Sequence, residues 1–92
     1  MSAVTVRVPS QLRTLTGGAS ELSLEGTTVG EVLKALDAAH PGMSDRLFDD
    51  SGAVRRFVNV FVDDEDVRFL EGLATPVSGG QTVSIVPAVA GG

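Results

Sequence analysis

The sequence predicts an α+β domain in which one main helix packs on a mixed, five-stranded sheet. Three observations carry that assignment. Period-two apolar alternation recurs in short stretches at both ends of the chain, one segment alone has apolar residues at helical spacing, and no repeat or linker composition divides the 92 residues. Laying one helix on one sheet hides the helix stripe and one face of every strand together.

Val4, Val6 and Val8 alternate with Thr5 and Arg7, a strand with one buried face, and Pro9-Ser10 closes it. Leu12 to Thr16 has no clear period and ends at Gly17-Gly18, a pair suited to positive φ and therefore to a turn. Leu22 and Leu24 alternate with Ser23 and Glu25, so the first two strands read as a loose antiparallel hairpin. Thr28 and Glu31 fit a capping box, with the hydroxyl taking the Glu31 amide and the carboxylate reaching back to the cap residue. Val29, Val32, Leu33 and Leu36 then form one apolar stripe, with Glu31, Lys34 and Asp37 off it, and Pro41-Gly42 stops the helix. Met43 to Arg56 reads as loop with one short helical turn, anchored by Leu47 and Phe48. Phe57 to Val62, apolar on both faces except at Asn59, reads as an interior strand. Val67 to Leu70 is expected as a shorter strand across the acidic turn Asp63 to Asp66, with Gly72 ending it. The last strand is read as Gln81 to Val86, and Pro87, having no amide to donate, ends its ladder. The chain thus divides into a body, 1–86, and a tail, 87–92.

Composition excludes several classes of function. With 12 acidic against 7 basic side chains and a net charge of -5, there is no electrostatic basis for binding nucleic acid or an anionic membrane, and partners with basic surfaces are expected. No cysteine is present, which removes disulfides, thiolate metal sites and a Cys nucleophile. His40 is the single histidine and sits before the helix-ending Pro41-Gly42, so it reads as a helix-end residue, and no metal site is expected. No apolar run approaches the roughly 18 residues that span a bilayer, and Met1-Ser2-Ala3-Val4 lacks a basic region followed by an apolar stretch; a cytoplasmic location is expected.

The chemistry points to the end of the chain. Gln81 to Gly92 contains no charged side chain. After Pro87 the residues are Ala88, Val89, Ala90, Gly91 and Gly92: small, then without side chains, a thin and flexible strand suited to a narrow channel. Six residues at roughly 3.3 Å each reach about 20 Å, enough to carry the Gly92 carboxylate into another protein's active site. With 11 glycines in the chain, a terminal pair arises by chance about once in 70 sequences of this composition, so the dipeptide alone identifies nothing. Its combination with a small one-helix, five-strand body and a proline at the end of the last strand is far more specific.

In that combination, Pro87-Ala88-Val89-Ala90-Gly91-Gly92 resembles the terminus of the ThiS/MoaD family of ubiquitin-like β-grasp sulfur carriers. Phe57-Val58-Asn59-Val60-Phe61-Val62, Asp66-Val67-Arg68-Phe69 and Gly72-Leu73-Ala74-Thr75 extend the likeness over nearly the whole chain. The branch serving cysteine biosynthesis is the most similar, and the tail also resembles the MoaD branch. The resemblance implies a carrier rather than an enzyme, with no bound cofactor. An E1-like adenylyltransferase partner uses ATP to adenylate the Gly92 carboxylate, and a persulfide donor, usually on a rhodanese-type domain, converts the acyl adenylate to a thiocarboxylate. In the cysteine branch the sulfur acceptor is an aminoacrylate on a PLP-dependent cysteine synthase fed by O-phosphoserine, and a metalloprotease releases the product. The same terminus on the small subunit of molybdopterin synthase delivers sulfur beside a large synthase subunit. A third reading is a ubiquitin-like tag joined to target lysines by isopeptide bonds.

The remaining features have bland and sharp readings. Lys34 is the sole lysine, which leaves almost no acceptor for self-conjugation and equally fits a preference for Arg. Asp63 to Asp66 lacks the ligand spacing of a calcium loop and reads as a solvated turn. Arg55-Arg56 reads as a surface pair, with docking to an acidic patch the alternative. Phe57, Phe61 and Phe69 are expected mainly in the core. An exposed apolar patch beside the tail, centred on Val86 and Pro87 with Phe69 and Arg68, is the expected docking surface.

Overall fold

The computed structural model describes residues 3–55 and 58–87. Among these, β1 (Ala3–Arg7), β2 (Glu21–Glu25), β3 (Val58–Val62), β4 (Glu65–Asp66) and β5 (Thr82–Pro87) form one sheet in the order β2-β1-β5-β3-β4. β1 and β5 run parallel, and the other neighbouring pairs are antiparallel. Helices α1 (Val29–Ala39) and α2 (Met43–Leu47) complete the regular elements with three 3-10 turns, Ser10–Leu12, Val67–Phe69 and Gly72–Ala74.

The α1 stripe is buried as its spacing predicts: Val29, Val32, Leu33 and Leu36 face Val4 and Val6 of β1, Val83 and Ile85 of β5, and the three valines of β3 within one core. The short turn expected after Pro41 is α2, and it brings Met43 as well as Leu47 into full burial. Gly17 and Gly18 take φ of +68° and +95° in the turn between β1 and β2.

Thr28 caps α1 as expected, its hydroxyl accepting from the Glu31 amide at 3.2 Å. The return bond differs. Glu31 Oε1 accepts from the Thr27 amide at 2.8 Å and the Thr27 hydroxyl at 2.7 Å, one residue before the cap. The incoming chain is fixed in strand-like fashion by Val29 N–H to Thr75 O and Val77 N–H to Thr27 O, an arrangement that leaves Thr27 facing the carboxylate. Both Thr27 bonds, the backbone one foremost, hold the Glu31 carboxyl below the usual carboxylate range.

Two strand expectations are corrected. Val67 to Leu70 is not a strand: β4 is Glu65–Asp66, inside the acidic run, and Val67–Phe69 is a 3-10 turn. Asp66 Oδ1 accepts from the Arg68 amide at 2.9 Å, which curls the chain there and drives Val67 into the core. The acidic run also does specific work. Asp63, at φ +55°, accepts from the Thr82 amide and from Gln81 Nε2, both at 3.1 Å, and so joins the β3–β4 turn to the start of β5. Finally, β5 begins at Thr82 and runs through Pro87, one residue beyond the expected stop. Asp63 N–H donates to Thr82 O at 2.7 Å, and counting along the register in twos makes Asn59 and Val86 a hydrogen-bonded pair and Val58 and Pro87 a non-bonded one. Pro87 occupies a position where the ladder needs no amide. Arg56 and Phe57 lie outside the described residues.

Candidate functional site

The sheet presents the root of the tail on its middle strand. β5 has β1 on one side and β3 on the other, so Pro87 is held by an element paired along both edges, opposite Val58. Ala88, Val89, Ala90, Gly91 and Gly92, where the carrier chemistry is expected, lie outside the described residues.

Of the expected docking residues, Val86 is 45% exposed and lies on the sheet face opposite Val83 and Ile85, away from α1. Phe69, expected mainly in the core, is 86% exposed. The core expectation rests on a strand over Val67 to Leu70, and the 3-10 turn that stands in its place sends Val67 inward and Phe69 out. Arg68 turns back on the body: its Nη2 donates to Val58 O at 2.9 Å, the carbonyl that the non-bonded Val58–Pro87 pair leaves facing away from β5. Phe61 is half-buried. Leu70 is 40% exposed, which a strand over Val67 to Leu70 gives no signal of and the 3-10 turn does. Leu70 lines a hollow with Asp63, Glu65 and Glu71, and among the described residues no basic side chain lines it.

Elsewhere, a groove of about 390 Å³ between α1 and the segment after α2 is lined by Lys34, Asp37, Phe48 and Leu73 among others. Asp37 is occupied there by the Ser44 amide at 2.9 Å. Arg55 donates from Nε to Asp45 O at 3.0 Å. Among the described residues, no group of three or more His, Asp or Glu could hold a metal ion, and no helix is long and apolar enough to cross a membrane.

Residues 6–92 match the ThiS family. The chain belongs to the ThiS family. This ThiS-family chain is 52% identical over 91 residues to the sulfur carrier protein CysO of Mycobacterium tuberculosis, covering 97% of this chain and 98% of that one. It is 43% identical over 68 residues to small archaeal modifier protein 3 of Haloferax volcanii, covering 74% of this chain and 73% of the other. Among solved structures, a chain of the BexX/CysO complex of Amycolatopsis orientalis superposes with a TM-score of 0.92 at 47% identity, over 98% of this chain and all of that one. The architecture is the ubiquitin-like β-grasp of these carriers, as the tail resemblance implied.

Proposed function

We propose that this ThiS-family protein is a sulfur carrier for cysteine assembly, itself a cosubstrate rather than a catalyst, with the Gly92 carboxylate as the carrying group. The observation that supports this most is 52% identity, over nearly the full length of both chains, to a protein that is a sulfur carrier. The geometry agrees with it: the uncharged run after Pro87 leaves from the middle of the sheet.

The chemistry has a physical logic. A carboxylate is a poor electrophile because oxide would have to leave. An E1-like partner lets the Gly92 carboxylate attack the α-phosphorus of ATP and release pyrophosphate; a persulfide sulfur then attacks the acyl carbon and expels AMP. A thiol cleaves the resulting S–S bond, leaving a thiocarboxylate whose sulfur is anionic and nucleophilic. ATP is thus consumed by the partner. Addition of that sulfur to the aminoacrylate of a PLP-dependent cysteine synthase leaves cysteine joined to Gly92 as a thioester, an S-to-N acyl shift turns this into an amide, and hydrolysis of the amide by a metalloprotease releases cysteine and restores the Gly92 carboxylate. Gly91 and Gly92 keep a Cβ away from the acyl carbon and the channel walls, and Ala88, Val89 and Ala90 keep the path to them narrow.

Intact mass after coexpression with the activating enzyme tests this reading, because replacing one oxygen by sulfur adds about 16 Da. No shift while that enzyme is demonstrably adenylating its carrier refutes it. The likeness to small archaeal modifier protein 3 favours a second reading, a tag joined to lysines, which predicts a ladder of tail-linked targets on denaturing electrophoresis instead.

A further inference from the structure

We infer that Phe69 is the anchor by which the body docks on the enzyme that adenylates the terminal carboxylate, its ring entering an apolar socket with a basic rim. The inference rests on the carrier reading above and adds to it the surface and the chemistry of the partner.

An aromatic ring 86% exposed on a chain with four Phe and no other aromatic residue is the most anomalous side chain among the described residues. Loop slack does not explain it. Val67 is buried on one side of Phe69, and Leu70 N–H donates to Val67 O at 3.0 Å. Asp66 Oδ1 holds the Arg68 amide, Arg68 Nη2 is seated on Val58 O, and Thr75 Oγ1 accepts from the Glu71 amide at 3.0 Å. The ring is therefore presented by a bonded turn, and a partner binding it loses little conformational freedom there.

Position links the ring to the tail. Arg68, its neighbour, is fastened to the carbonyl of Val58, and Val58 stands opposite Pro87. A protein that receives residues 88–92 must cover the end of the sheet where Pro87 sits, and Phe69 belongs to the turn tied to that end. Arg68 is then a positioning residue, and Val86 lies on the sheet face opposite Val83 and Ile85.

Charge states what the partner looks like. Next to Phe69, exposed Leu70 shares its hollow with the acidic side chains Glu65 and Glu71, both exposed, and Asp63. A second copy of this chain would set these carboxylates against like charges within a body of net charge -5, so self-association through the patch is opposed. A socket rimmed by Lys or Arg complements it. Adenylation is the step that every route for this terminus requires, whereas acceptors differ, so the adenylating enzyme is the partner that the patch must fit.

The test is the steady-state rate of thiocarboxylation, by the adenylating enzyme that adds sulfur to the wild-type chain, as a function of carrier concentration. Phe69→Ser should raise KM about tenfold and leave kcat within twofold. Glu65→Lys with Glu71→Lys should raise KM severalfold and flatten its increase with salt. Unchanged urea midpoints keep both variants interpretable as folded proteins, and Ser23→Ala on β2, at the far edge of the sheet, serves as the neutral control. An unchanged KM for Phe69→Ser, with normal sulfur addition to both proteins, overturns the docking surface alone. An effect of Phe69→Ser confined to the sulfur-accepting enzyme, or a wild-type dimer that the same change dissolves, also overturns it. If the wild-type chain gains no sulfur under conditions where the enzyme is active, the carrier reading fails and this inference with it.

Discussion

Replacing Gly26 by Ala tests how tightly the entry to α1 is packed against the sheet. A Cβ at residue 26 would lie 2.9 Å from Val32 Cγ2, 3.0 Å from the Val32 backbone nitrogen and 3.2 Å from Glu31 Cβ. Val32 is fully buried, and its amide already donates to Thr28 O at 3.0 Å, so neither atom yields without moving the first turn of the helix and its cap. Overpacking of this kind costs about 1–3 kcal/mol, and loss of glycine's freedom in the unfolded chain returns about 0.4–1 kcal/mol. The expected net is a destabilisation of about 1–2 kcal/mol, against a total of about 5–14 kcal/mol for a domain of this length. Urea unfolding followed by far-ultraviolet circular dichroism suits a chain without Trp or Tyr. With a slope of about 1 kcal/mol per molar urea, the midpoint should fall by about 1–2 M at unchanged slope. In a Val32→Ala background, where the 2.9 Å contact is gone, the penalty should shrink. A midpoint at or above wild type, or a penalty that Val32→Ala leaves untouched, refutes the packing argument.

Leu33→Ala, at a fully buried position on the α1 stripe, should cost about 2–5 kcal/mol in the same assay; less than 1 kcal/mol would mean that the helix is not seated as described. Glu31 and Asp49 both have lowered carboxyl pKa values, Glu31 through the Thr27 amide and hydroxyl and Asp49 through the Ser51 hydroxyl and amide. Their contributions are complete above the ordinary carboxylate range of about 3.9–4.3 and are lost as pH falls through the lower folded values. Glu31→Gln should accordingly flatten the acid limb of the stability profile, and an unchanged limb counts against the Thr27 bonds. Gly92→Ala should leave the urea midpoint at the wild-type value and abolish the gain of about 16 Da, since the added Cβ crowds only the reacting end; normal thiocarboxylation of that variant would remove the steric reason for the diglycine.

Legibility followed the range of the interactions involved. The α1 stripe and its Thr28 cap were readable because both depend on residues within a few positions of one another, and β1 and β2 because alternation is local. The 3-10 turn at Val67–Phe69 was not, since alternating residues there fit a strand equally well and the choice falls to one hydrogen bond from the Arg68 amide to Asp66. Pro87 was misjudged for a related reason. A proline is excluded from a ladder only where its amide would be used, and whether it is used depends on the parity of the β3–β5 register, set where Thr82 meets Asp63, a residue far away in the chain. The tail, by contrast, was conspicuous in composition, and the family resemblance rested on it together with the stretches Phe57 to Val62, Asp66 to Phe69 and Gly72 to Thr75. Phe69 as a protruding ring needed the turn before it had meaning.

In the proposed carrier mechanism docking and transfer make separate demands, and the proposal assigns them to separate parts of this chain, Phe69 and Gly92. Residues 88–92, at roughly 3.3 Å each, have a contour length of about 16 Å. Once the body is docked, the terminal carboxylate is confined within that reach of Pro87, equivalent to a local concentration on the order of 10–100 mM, far above any free concentration of the protein. Entry of the tail into a channel then becomes an intramolecular event whose rate does not depend on how tightly the body is held. The proposed anchor, Phe69, would then govern how often that confinement begins. On this account loss of Phe69 appears in KM and loss of Gly92 in kcat, and the two effects should multiply independently, because the anchor sits on a bonded turn beside the sheet while the reacting group lies five residues beyond its middle strand.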